Sequence, residues 1–226
     1  MSIAEVLSIN VGVPIALQYR SKEVISGIYK DPIEHSAYLS YLNFEGDLQA
    51  DLEHHGGTDK AVCVYPSEHY MHWEQVLQRP LTPGAFGENV TTSGLLESQL
   101  YIGDIFRLGD AVVQISQPRQ PCYKLSVKYE LPELPLLVQT TGYTGYYFRV
   151  LEEGLVSRSA SLVLLERPQD KVTLAYANTI MHMDKQNIEG IDHILEIPWL
   201  SDSWRKTLTA RKEGLVIDTS LRLEGE

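Results

Sequence analysis

Among the residues of this chain, Cys122 combines type and setting most suggestively. It stands in the run Val113-Gln114-Ile115-Ser116-Gln117-Pro118-Arg119-Gln120-Pro121-Cys122-Tyr123-Lys124, bracketed by two cations, Arg119 and Lys124. Nearby positive charge favours the thiolate, the form that attacks or ligates metals. Pro118 and Pro121 restrict the backbone and would hold the sulfur in one place on a loop leaving a strand. The plain alternative for a single cysteine is a buried structural thiol. That is the reading for Cys63, which lies in the apolar run Ala61-Val62-Cys63-Val64-Tyr65.

Three other stretches carry features that a core does not need. Phe44-Glu45-Gly46-Asp47 is followed by His54-His55-Gly56-Gly57-Thr58-Asp59-Lys60. Adjacent glycines let backbone approach a ligand and expose N–H groups as anion donors, although glycine pairs most often mark plain turns. In Gly84 to Gly94, the side chains of Glu88, Asn89, Thr91, Thr92 and Ser93 stand among small residues. Such a run suits hydrogen bonding to a polar heterocycle, and equally suits a capped turn. His69 and His72 share a helical spacing, but no CxxC or HExxH pattern accompanies them, so a zinc site is a weak reading. No nucleophile elbow, phosphate-binding loop or dinucleotide fingerprint is present.

The elements that must position these residues are mostly strands. Ile3 to Ile9, Val24 to Ile28, Ala61 to Tyr65, Leu100 to Leu108, Ala111 to Ser116, Tyr146 to Leu151 and Ser161 to Leu165 are short branched or aromatic runs between turn signals. Runs so short and numerous predict a barrel or sandwich rather than βαβ units. Helices are expected at Ser67 to Gln78 and Pro132 to Thr140, with three more at Val172 to His182, Asp184 to Ile197 and Ser201 to Glu213. Ser201 reads as an N-cap and Gly214 as the left-handed residue past the end. The expected class is therefore mainly β, with residues 1–167 forming a barrel domain and 168–226 a small three-helix domain.

The balance of 19 Lys plus Arg against 30 Asp plus Glu gives a formal net charge of -11. That repels a phosphate backbone, and no concentrated basic run offsets it, so no nucleic-acid partner is expected. No apolar stretch is long enough to span a bilayer, and the opening residues lack signal-peptide character. The expected compartment is the cytoplasm, where the two cysteines stay reduced. Two cysteines are too few for an iron–sulfur cluster.

Together the motifs resemble the MOSC-domain family, in its YiiM-like branch. The resemblance rests on Glu45-Gly46-Asp47, His55-Gly56-Gly57, Asp59, Ala61, Tyr65, Glu68-His69-Tyr70 and Trp73. It continues through Phe86-Gly87-Glu88-Asn89, Thr92-Ser93-Gly94-Leu95, Gly103-Asp104-Ile105 and Gln114. It closes on Ser116-Gln117-Pro118-Arg119, Pro121-Cys122 and Lys124-Leu125. It spans roughly residues 1 to 165, with the C-terminal helices matching the small domain that follows. Lys60 stands where the pattern has arginine, which keeps the charge but loses the bidentate fork.

The resemblance implies a β-barrel carrying the molybdenum cofactor, a molybdopterin, in a cleft. Cys122 maps onto the metal ligand, with His55 and Glu88 as catalytic proton sources. His55, Gly56, Gly57, Lys60, Glu88, Asn89, Thr91, Gln117, Arg119 and Lys124 would hold the cofactor. The implied reaction is two-electron reduction of a small N-hydroxylated compound, such as 6-N-hydroxylaminopurine, with electrons from a separate reductase. Two rivals stay open. One is a cofactor or sulfur carrier without reductase activity. The other is a cysteine hydrolase pairing Cys122 with His54 or His55. A homodimer is compatible with the sequence, which does not decide it.

Overall fold

In the computed structural model, which describes residues 3–51 and 56–225, twelve strands and seven α-helices are formed. Seven strands close into a barrel. They are β1 (Ile3–Val11), β6 (Val62–Pro66), β7 (Val90–Ser93), β8 (Ile105–Leu108), β9 (Ala111–Pro118), β10 (Tyr146–Glu152) and β12 (Ser161–Glu166). Their order is β12-β8-β9-β10-β6-β7-β1, with β1 pairing back to β12. Closure leaves no edge among these seven. All neighbours are antiparallel except β6 and β7. The mainly β expectation holds. The missed strands are short: β2 (Ile15–Tyr19), β4 (Asp31–Pro32), β5 (Ala37–Leu39), β7 and β11 (Gly154–Val156).

Leu100 to Leu108 is not one strand. The chain turns at Gly103, whose φ is +96°, and Asp104 accepts the Tyr101 N–H at 3.1 Å. A left-handed φ favours glycine there, and a Cβ would meet the Trp199 ring at 2.8 Å. The strand expected at Val24 to Ile28 lies two residues earlier, as β3 (Lys22–Ser26), which pairs with β2 in a hairpin.

Strand β6 is buried along its whole length because both of its faces are covered. Val62 and Val64 point into the barrel core with Tyr146 and Phe148. Tyr65 joins a second cluster outside the barrel with Trp73, Phe86 and Leu125. Tyr65 stacks on Phe86 at 4.4 Å, and its hydroxyl accepts the Trp73 indole N–H at 2.6 Å. Side chains alternate along a strand, so Cys63 and Tyr65, which alternate with Val62 and Val64, face outward.

The outer layer holds α1 (Tyr70–Leu77), α2 (Lys124–Tyr129) and α3 (Leu134–Thr141). Beyond the barrel come α4 (Leu174–His182), α5 (Ile188–Leu195), α6 (Asp202–Lys212) and α7 (Ser220–Glu224). The Ser201 hydroxyl accepts the Trp204 N–H at 3.3 Å, and Gly214 has φ +81°, as expected of cap and stop. Helices α4 to α6 contribute Leu174, Ile191 and Trp204 to the same apolar cluster as the barrel. No described helix is long and apolar enough to cross a membrane.

Candidate functional site

A cleft opens on the outer wall of the barrel, between β6, β10 and the loop after β9 on one side and residues 26–30 and 48–51 on the other. Cys63 of β6 and Tyr147 of β10 are directly paired across the sheet and both line it. The Arg119 N–H donates to the Gly145 carbonyl at 3.0 Å, which continues the β9–β10 pairing and sets Arg119 at the cleft wall. Cys122 follows in the turn into α2, where its carbonyl accepts the Leu125 N–H at 3.0 Å. Its side chain is only 6% exposed, yet it lines the cleft rather than the core. Neither cysteine is in a disulfide.

The cleft is cationic in an acidic chain. Among the described residues, Lys30, Lys60, Arg119 and Lys124 line it against one acid, Asp51. Lys124 lies 3.8 Å from Asp51, and Lys30 pairs with buried Asp47. Asp47 also accepts the Gly12 N–H at 2.9 Å and an Asn89 amide N–H at 2.8 Å. Burial lowers the Lys60 pKa. Burial pushes the Cys63 thiol up to about 11, only partly opposed by Arg119. Burial works to lower Arg119, but the surrounding Cys63, Tyr147 and Cys122 outweigh it and hold the guanidinium more firmly protonated. Among the described residues, the buried Arg119 Nη1 has no hydrogen-bond partner. A buried charged donor without an acceptor is costly, and an anion in the cleft would relieve it.

The structure therefore brings Lys60, Asn89, Arg119, Cys122 and Lys124 into one cleft. It gives other expected site residues different work. Glu88 is fully buried and does not line the cleft. Its carboxylate accepts from Gly84 N at 2.9 Å, Phe86 N at 2.8 Å, Thr91 Oγ1 at 3.0 Å and the Tyr70 hydroxyl. In this arrangement the carboxylate anchors the loop. Thr91 belongs to the same network, with Asn10 donating to its hydroxyl at 3.1 Å. Gln117 accepts the Ser203 hydroxyl at 2.9 Å and so ties β9 to α6. Gly57, at φ +90°, is exposed and opens the short turn Thr58–Lys60, and half-buried Gly56 does not line the cleft. Asp59 in that turn pairs with Arg149 at 2.6 Å, which seats Lys60. His54 and His55 lie outside the described residues. His69 pairs with Glu97 at 2.8 Å, and the described residues hold no cluster of three metal-ligating side chains, so the zinc reading finds no support.

Sequence reasoning missed Lys30, Asp51 and Tyr147, and read Cys63 as buried without placing it on the cleft wall. Cys63 was hidden because a strand covered on both faces shows no polar alternation. No local signal marks the others.

Residues 51–162 match the model of the MOSC domain, and residues 172–215 that of the "YiiM-like, 3-alpha helix domain". YflK of Bacillus subtilis is 53% identical over 93% of this chain and 96% of its own length. The protein YiiM of Escherichia coli is 39% identical over 89% of this chain and 91% of its own. This chain belongs to the MOSC-domain family, in its YiiM-like branch. The crystal structure of YiiM from Geobacillus stearothermophilus superposes with a TM-score of 0.79 at 42% identity, covering 92% of this chain and 99% of that one. A Gibberella moniliformis protein named "Reductase" is 31% identical over 78% of this chain, a match that covers 32% of that longer protein.

MOSC domains are associated in general with the molybdenum cofactor. The residues present in this YiiM-like chain fit such a group. Among the described residues, the Cys122 thiol and four cations, one of them Arg119 with its Nη1 unpartnered, suit a soft metal carried by an anionic, phosphate-bearing pterin.

Proposed function

We propose that this chain is a molybdenum-cofactor-dependent reductase of small N-hydroxylated substrates, 6-N-hydroxylaminopurine being one, acting in the cytoplasm against N-hydroxylated bases. The observation that carries the reading is the buried Arg119 Nη1 without a described partner, in the same cationic cleft as Cys122. The relative named "Reductase" adds support for the reaction class.

Cys122 is the protein ligand to the metal, and Arg119, Lys60 and Lys124 balance the charge of the cofactor's phosphate. Asn89, held by Asp47, offers amide hydrogen bonds to the pterin or the substrate. When bound, the cofactor supplies a two-electron couple and accepts oxygen. The overall change is R–NH–OH plus two electrons and two protons to R–NH2 plus water. Lys60, whose pKa burial lowers, is the cleft's candidate proton donor, with His55 as a second. Electrons come from a separate reductase protein.

The test compares protein made in cells able and unable to synthesise molybdopterin. The expected result is bound molybdenum only from the first, and reduction of 6-N-hydroxylaminopurine by a chemical electron donor but not by NADH alone. Cys122→Ser should lose metal and turnover together while staying folded, and Cys63→Ser should keep both. Metal bound equally well by Cys122→Ser would sink the ligand assignment. Metal bound without any reduction would favour the carrier reading instead.

A further inference from the structure

Past α6 the chain runs back across the molecule to the Cys122 loop. Prolines at 118 and 121 restrict that loop's dihedrals but donate no N–H, so only their carbonyls can help to anchor it. The Tyr123 N–H, at the start of α2, is one of the donors that a helix leaves without an internal partner. It donates to the Arg222 carbonyl at 2.8 Å. The Arg222 side chain then forks. Nη1 donates to the Pro121 carbonyl at 2.5 Å, and Nη2 to Gln139 Oε1 of α3 at 2.8 Å. One residue thus holds both chain neighbours of Cys122.

The rest of the segment is pinned beside it. The Tyr19 hydroxyl donates to the Glu224 carbonyl at 3.2 Å, and Lys22 Nζ to the Gly225 carbonyl. Gly225 has φ +80°, and a Cβ there would lie 2.9 Å from the Tyr123 ring. Such close approach keeps the tail seated on Tyr123, whose other neighbour is the Tyr19 ring at 5.5 Å.

We infer that Arg222 is a positioning residue for Cys122, clamping the loop from both sides so that the sulfur has one fixed place in the cleft. The functional meaning rests on the reading of Cys122 as the working thiol, while the clamp itself does not. A ligand sulfur must be held to a fraction of an ångström, and a fork with bidentate reach does this where a single ammonium does not.

The experiment uses the full chain without cofactor, as Arg222→Met, Arg222→Lys and, as a control on the same helix, the exposed Leu221→Ala. Two rates are read at one fixed pH. They are amide hydrogen exchange at Tyr123, and alkylation of Cys122 by iodoacetamide relative to Cys63 in the same molecule. Arg222→Met should raise both by about tenfold or more, the scale of a lost charge-assisted hydrogen bond. Arg222→Lys should fall between it and wild type, and Leu221→Ala should match wild type. Wild-type rates in Arg222→Met would overturn the proposal. Should that variant unfold, with Cys63 alkylating as fast as Cys122, Arg222→Lys decides, since wild-type rates there overturn the clamp equally. Both rates are read on metal-free protein, so they stand or fall separately from the molybdenum reading.

Discussion

Arg119 sets function against stability within one side chain. Its guanidinium is buried, and among the described residues its Nη1 meets no acceptor, so folding carries the cost of an unmet donor. Replacing it with methionine, similar in length and apolar, should leave the melting temperature unchanged or raised. The same change should cut molybdenum and pterin retention by about tenfold or more, since a charge-assisted pair with the cofactor is lost. A steep fall in melting temperature would show that Arg119 serves folding and that its partner is internal. Arg119 was legible because it stands three residues before Cys122 in an unusual proline-bracketed run. Cys63 is the buried thiol its apolar run predicts, but its strand neighbours are apolar on both faces, so the sequence holds no sign that one face meets a cleft. Tyr147 is brought to the site by pairing of β10 with β6, and Lys30 by its ion pair with Asp47, so both come from distant elements.

At the scale of elements, the loop from Gly84 to Thr91 is organised around a buried carboxylate. Glu88 satisfies two backbone N–H groups and two hydroxyls, and through them fixes the approach to β7. Glu88→Gln keeps the volume but turns one acceptor into a donor facing donors. It should cost about 2–4 kcal/mol in denaturant unfolding, and Tyr70→Phe about 1 kcal/mol. Were Glu88 instead a proton donor, the glutamine variant would keep wild-type stability and lose turnover. The longer elements were readable, because periodicity over eight or more residues is a strong signal, as in α4, α5 and α6. The helix expected from Ser67 begins instead as a tighter turn to His69, because the Glu68 carboxylate accepts the Gly94 N–H at 2.6 Å and is drawn across to that loop. Strands of two to four residues such as β4, β5 and β11 carry too few side chains to announce themselves, and the hairpin of β2 and β3 turns on Arg20 at φ +54° without a glycine.

At the scale of the whole molecule, the packed helices and the returning tail meet around one histidine. His182 ends α4 and is buried against the Trp204 ring at 6.4 Å. Its Nε2 has no partner among the described residues. Burial, joined by the charges of Arg222 from the tail, Arg211 from α6 and Lys185, pushes its pKa down to about 3. No sequence pattern foretells this, because the three cations are brought to it from separate segments. The sign follows from proton binding. Below an ordinary histidine value of about 6.5 the unfolded chain takes up a proton that the folded chain refuses until near pH 3. The stability that neutral His182 permits is therefore fully present above about pH 6.5 and is lost as pH falls from there toward 3. Each pH unit within that window costs up to about 1.4 kcal/mol, so from pH 7 to 5.5 the loss is about 1 kcal/mol, or a few degrees of melting temperature. His182→Phe keeps a ring against Trp204 and removes the titration. It should melt with a visibly flatter pH dependence between 7 and 5, and equal slopes in the two proteins would place the acid sensitivity elsewhere in the chain.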